Sequence, residues 1–117
     1  MRLDVVVGQL ERALQRLAWD AEQQLDYMSR YRVGADEMAL DFDDSFRVVS
    51  GMVREELMPE SVAEVLRPVD EILVAMTNSP QDEWSEVAVT ESPTWGTLRE
   101  AARVALDSVR QTEFEIG

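Results

Sequence analysis

The chain has 117 residues and a formal net charge of -13, from 24 aspartates and glutamates against 11 positive side chains, all of them arginine. It contains no histidine, cysteine or lysine, which excludes imidazole general bases, thiol nucleophiles, Schiff-base amines and nearly all transition-metal sites. Because its potential attracts cations and repels nucleic acid, we expect a non-enzymatic protein that needs no cofactor and binds a basic protein partner, not nucleic acid.

The length and the apolar content indicate one globular domain. Hydrophobic residues make up 45% of the chain, which is too many for an acidic disordered tail. We expect a single helical domain over residues 1–117, with a frayed end at 112–117. There is no run of about 18 apolar residues and no signal-peptide core near the N-terminus. We therefore expect a cytoplasmic protein without a membrane partner.

Apolar residues near the start recur at alternating steps of four and three, with Gln24 the only interruption. This spacing predicts an amphipathic helix whose stripe packs onto the domain's own helices or, alternatively, forms an intermolecular coiled coil. The stripe consists of Leu3, Val7, Leu10, Leu14, Leu17, Ala21 and Met28.

The first helical segment has an expected kink and an expected end. Trp19 projects from the face opposite the stripe if the helix is straight, whereas Asp20 followed by Gln23 can form an N-terminal capping box. A kink at Trp19 and Asp20 resolves this conflict. Gly34 suits the left-handed residue that ends the segment.

Two further helices are predicted in the middle of the chain. The first runs from about Asp36 to Leu57, with a core face formed by Met38, Phe42, Phe46, Val49 and Val53. The second begins near Pro59, and its apolar positions are Val62, Val65, Leu66, Val69, Ile72, Leu73 and Met76. Pro68 lies inside this helix and removes a backbone donor, which predicts a bend or a local break there or, alternatively, two short helices.

Two Ser-Pro pairs look like helix starts, with serine as the N-cap and proline at the first helical position. Ser79-Pro80 is expected to open a short helix through Trp84, Val87 and Ala88, with Asp82 completing the cap. Ser92-Pro93 is expected to open the final helix, whose core face is Trp95, Leu98, Ala102, Leu106 and Val109. The predicted fold is an all-α, single-domain bundle of four main helices plus one short helix.

The densest acidic stretch lies in the helix predicted from about Asp36 to Leu57. Glu37, Asp41 and Asp44 share one helical face, roughly 120° from the core direction, and Asp43 lies beside them in sequence. This face is either ordinary solvated surface or a binding surface for a basic partner. A magnesium site is disfavoured, because the paired Glu-x-x-Glu and Glu-x-x-Asp motifs of small all-α pyrophosphatases are not present.

Aromatic residues supply a second candidate element of the site. Trp19 leaves the first stripe and, if exposed beside Tyr27 and Tyr31, is a natural anchor for a protein interface. Trp84 and Trp95 have apolar neighbours at helical spacing, which favours positions in the core.

The acidic run at residues 36–46, together with Trp84 and the run at residues 95–103, resembles a group of small acidic helical bacterial proteins, some of the immunity type found in polymorphic or contact-dependent toxin systems. The resemblance implies a cytoplasmic protein that binds a cognate toxin domain, often a basic nuclease, and covers its active site. The charge argument nominates Glu37, Asp41, Asp43 and Asp44 as partner-binding residues, with Trp19 or Tyr31 as the apolar anchor. The alternative function is a structural or regulatory helical module that homodimerises through the first stripe, and a DNA-mimicking inhibitor also stays open.

Overall fold

The computed structural model describes residues 3–112, and within them the chain forms six helices and no strand. The all-α prediction is confirmed. Of the expected frayed end at 112–117, residues 113–117 lie outside the described range, whereas Thr112 donates hydrogen bonds to the Ser108 and Val109 carbonyls. The helices are α1 (Leu3–Ala18), α2 (Ala21–Tyr31), α3 (Ala35–Arg54), α4 (Glu60–Thr77), α5 (Glu86–Glu91) and α6 (Pro93–Gln111).

The first predicted helix is two helices because the chain breaks at Asp20. The Asp20 Oδ1 atom accepts a hydrogen bond from the Gln23 N–H at 2.8 Å, and the Asp20 N–H donates to Gln23 Oε1 at 3.2 Å. This reciprocal capping box confirms the predicted kink, and it turns the expected count of four main helices and one short one into six.

The prediction for Gly34 is wrong. The left-handed residue is Arg32, with φ 53°, and its N–H donates to the Met28 carbonyl, whereas Gly34 has φ -83° and is the N-cap of α3. Helix α2 reaches Tyr31, so the chain must reverse at the next residue. A non-glycine residue in the left-handed region is uncommon. Here it lets the Met28 carbonyl, in the last turn of α2, accept hydrogen bonds from the N–H groups of Arg32 and Val33.

The helix start predicted at Ser79-Pro80 is also wrong. Ser79 Oγ accepts a hydrogen bond from the Gln81 N–H at 3.2 Å, and Asp82 Oδ1 accepts from the Trp84 N–H at 2.9 Å. These bonds, each spanning two residues, form tight turns that compete with helix formation. The short helix begins later, after Ser85, whose Oγ accepts from the Ala88 N–H at 3.0 Å.

Helix α3 ends at Arg54, before the expected end near Leu57, and Glu56 has φ 60°. The start of α6 follows the prediction. Ser92 caps α6, accepting from the Thr94 N–H at 3.3 Å, and Pro93 is the first residue of that helix. Helix α4 is continuous through Pro68, so the expected local break and the alternative of two short helices are both wrong. Pro68 has no N–H to donate to the carbonyl of the preceding turn. Because this part of α4 is exposed, water can satisfy that carbonyl instead.

The core lies where α1 packs against α3 and α6, while α4 covers α3 and α6 from another side. The α1 stripe is inside it: Leu10, Leu14 and Leu17 have no exposed surface, and Met28 of α2 retains only 6%. The buried part of the stripe therefore packs within its own chain. No helix within residues 3–112 is long and apolar enough to cross a membrane.

Candidate functional site

Trp19, Tyr27 and Tyr31 form an aromatic cluster on one side of the molecule. The rings of Trp19 and Tyr27 meet edge-on, with centroids 5.6 Å apart, and those of Tyr27 and Tyr31 are 4.9 Å apart. Tyr31 is 61% exposed, and Trp19 and Tyr27 are half-buried. The cluster forms because Tyr27 and Tyr31 are one turn apart on α2, while the break at Asp20 carries Trp19 off α1 beside them.

Arg16 joins this cluster to the acidic residues of α3. Its guanidinium carbon lies 5.3 Å from the centre of the Tyr27 ring, and its Nη1 atom lies 3.4 Å from Asp41 Oδ2. The side chains of Arg16 and Asp41 are 28% and 44% exposed, so solvent screens the pair and its contribution to stability is at most about 1 kcal/mol. The main effect of Arg16 is to place aromatic and carboxylate groups side by side.

Asp41 and Asp44 border an open cleft of about 290 Å³ between α1 and α3, together with Arg12 and Arg16. The same two arginines line a second cleft of about 420 Å³ that the aromatic cluster borders. The two clefts therefore lie side by side and share Arg12 and Arg16 as lining residues. We call this surface the mixed face, which comprises Arg12, Arg16, Trp19, Tyr27, Tyr31, Asp41 and Asp44.

The mixed face contains two arginines that sequence reasoning did not nominate. Arg12 and Arg16 are one turn apart on the polar side of α1, and that spacing was the available signal. Glu37 is exposed one turn before Asp41 on α3, at the edge of this face. The structure thus brings together Trp19, Tyr31, Asp41 and Asp44, with Glu37 nearby.

Asp43 lies apart from the other nominated residues. It pairs with Arg47 one turn later, at 3.0 Å, and it borders an open groove of about 430 Å³ between α3 and α4. We call this the α3–α4 groove. It is lined by Asp36, Ala39, Leu40, Asp43, Asp70, Leu73, Val74, Thr77, Asn78 and Trp84.

Within the α3–α4 groove, Asp70 has a raised pKa. The largest cause is desolvation by burial, and the neighbouring carboxylates Asp43 and Glu71 add to it by repulsion. A nearby cation would therefore favour the ionised form of Asp70.

We expect the Asp70 carboxyl to make stability depend on pH. Below its ordinary pKa of 3.8 the carboxyl is protonated in both states. Above that value the unfolded chain ionises first, so wild type should lose stability relative to Asp70→Asn as pH rises through the raised folded pKa. Urea unfolding between acid and neutral pH measures this, with Asp107→Asn on exposed α6 surface as the control. Parallel profiles for wild type and Asp70→Asn would contradict the expectation.

A buried polar link holds α2, and with it the aromatic cluster, against the rest of the bundle. The fully buried Gln24 donates through Nε2 to the Arg16 and Leu17 carbonyls at 3.0 and 3.2 Å. Its Oε1 accepts from Arg99 Nε at 3.0 Å, and Arg99 also donates to the Val89 carbonyl. Burial lowers the pKa of Arg99, an effect that Asp20 partly opposes. The residue that interrupts the apolar stripe is thus the residue that ties α2 to α1 and α6.

Comparisons with protein-family models, curated proteins and solved structures found no match to this chain. Within residues 3–112, no group of three or more acidic side chains is arranged to hold a metal ion.

Proposed function

We propose that this chain is a non-enzymatic binding protein, an inhibitor of the immunity type that neutralises a basic toxin domain by covering its active site. The observation that supports this most is the mixed face, where a partly exposed aromatic cluster adjoins two carboxylates. Tryptophan and tyrosine are the side chains that most often carry interface energy, and carboxylates select a cationic partner.

The two parts of the mixed face would contribute differently to binding. Trp19 and Tyr31 offer apolar area that becomes desolvated at the centre of a contact, which sets the dissociation rate. Asp41 and Asp44, in a chain of net charge -13, raise the association rate and favour basic partners. Arg16 occupies only one oxygen of Asp41, so the carboxylate still has acceptor sites for an incoming arginine or lysine.

The test is capture of the partner from the native host at low salt, with wild type and the triple variant Glu37→Gln/Asp41→Asn/Asp44→Asn. A matched control, Glu60→Gln/Glu64→Gln/Asp107→Asn, removes the same charge from exposed positions on α4 and α6. We expect one basic protein to be captured by wild type and control and lost with the triple variant.

The captured protein must then behave as a toxin. Purified wild type should block its enzymatic activity at a one-to-one ratio, and the triple variant should need a large excess. Equal capture by all three proteins, or capture without inhibition, would contradict the proposal.

A further inference from the structure

The α3–α4 groove has the geometry of a helix-binding site. Its residues on α3 fall at positions 36, 39, 40 and 43, and those on α4 at 70, 73, 74 and 77. Each set follows the i, i+3, i+4, i+7 spacing of one helical face over two turns, roughly 10 Å. Two parallel walls of this length fit about two turns of a third helix.

Some of the apolar side chains that line the groove are accessible to solvent. Leu40 and Val74 are each 51% exposed, and both rank among the large hydrophobic residues left uncovered within residues 3–112. The half-buried Trp84 borders the same groove and packs edge-on against Trp95, with ring centroids 6.0 Å apart. An amphipathic helix would bury these side chains and remove the apolar surface from water.

The ends of the groove are acidic. Helices α3 and α4 are joined by the short segment 55–59 and run antiparallel, with Asp43 interacting with Asp70. Asp36, two turns from Asp43, therefore marks the opposite end. Asp43 retains Arg47 as a partner, but no arginine in the described residues pairs with Asp36 or Asp70. Both ends thus present negative charge, which complements a basic occupant.

We propose that the α3–α4 groove binds a basic amphipathic helix of another protein, with two cationic residues about seven positions apart and apolar residues between them. The cations meet Asp36 at one end and the Asp43 and Asp70 pair at the other, and the apolar residues pack on Leu40 and Val74. This surface lies on the other flank of α3 from the mixed face, so the proposal stands independently of the proposed function.

A displayed library of random 16-residue peptides, selected on the whole protein, tests the pattern without presupposing a sequence. We expect the selected peptides to be enriched in paired cations about seven residues apart with leucine-like residues between. Synthetic versions of the selected peptides should bind the Leu40→Glu and Val74→Glu variants at least about tenfold more weakly than they bind wild type, as measured by fluorescence anisotropy. Val104→Glu, at a 55% exposed position of α6, is the matched control and should bind as wild type does.

The tryptophan indole signals locate the bound peptide. In a ¹⁵N spectrum of the complex, the Trp84 signal should shift while those of Trp19 and Trp95 stay in place. Each of four results would overturn the proposal. These are failure to select any binder, selected peptides without the cation spacing, unchanged affinity for Val74→Glu, and a Trp84 signal that does not shift. A dimer of wild type that dissociates on Val74→Glu in sedimentation would also overturn it, because the groove would then bind a second copy.

Discussion

Replacing Gln24 by leucine should lower the free energy of unfolding by about 2–3 kcal/mol, although the leucine side chain fills a similar volume. The amide is fully buried and satisfies two carbonyls at the end of α1 and the Nε–H of Arg99. Leucine leaves these groups without partners, and a buried donor on a charged group is expensive to leave unpaired. Urea unfolding followed by circular dichroism gives the value.

Two further variants identify the origin of that loss. Gln9→Leu, at an exposed position of α1, should change stability by less than about 0.5 kcal/mol. A double-mutant cycle of Gln24→Leu with Arg99→Met should show coupling of about 1 kcal/mol or more, because the two side chains share a hydrogen bond. Additive effects, or a Gln24→Leu variant as stable as wild type, would contradict the role assigned to this link.

Truncating Trp19 to alanine should weaken binding of the captured partner by about 2–4 kcal/mol, or roughly 30- to 1000-fold. Trp19 is the largest side chain of the mixed face, and its ring is held at an angle against Tyr27. The loss should lie mainly in the dissociation rate, which surface plasmon resonance measures directly.

Charge variants of the mixed face should act on a different rate. Asp41→Asn should lower the association rate and reduce its dependence on salt, with a smaller effect on dissociation.

The control for Trp19→Ala is Val87→Ala, at a 65% exposed position of α5, which removes apolar surface elsewhere. If Trp19→Ala and Val87→Ala had equal effects, the aromatic cluster would not be the centre of the contact.

The helices and most of their ends could be predicted because they depend on residues close in sequence. The stripe of α1, the break at Asp20 and the start at Ser92-Pro93 each follow from spacing within a few residues. The helix start predicted at Ser79-Pro80 was wrong because side-chain hydrogen bonds to the nearby backbone compete with helix formation there. Ser79-Pro80 resembles Ser92-Pro93, but Asp82 bonds to the backbone two residues on and favours a turn.

The candidate site could be predicted only in part, because tertiary packing decides which helical faces meet. Sequence placed Asp41 and Asp44 on one face, but the approach of Arg16 depends on how α1 packs on α3. The separation of Asp43 from Asp41 was readable, since two positions differ by about 200° around a helix. The α3–α4 groove was not, because it exists only once the two helices are side by side.

The most direct test of the central claim uses the three tryptophans as reporters while the captured partner is added to ¹⁵N-labelled protein. Trp95 is buried and its indole N–H donates to the Glu83 carbonyl at 2.7 Å, so its signal serves as an internal reference. Binding through the mixed face predicts that the Trp19 signal shifts and saturates at one equivalent while Trp95 stays unchanged. A saturated complex in which the Trp19 signal has not moved would contradict it.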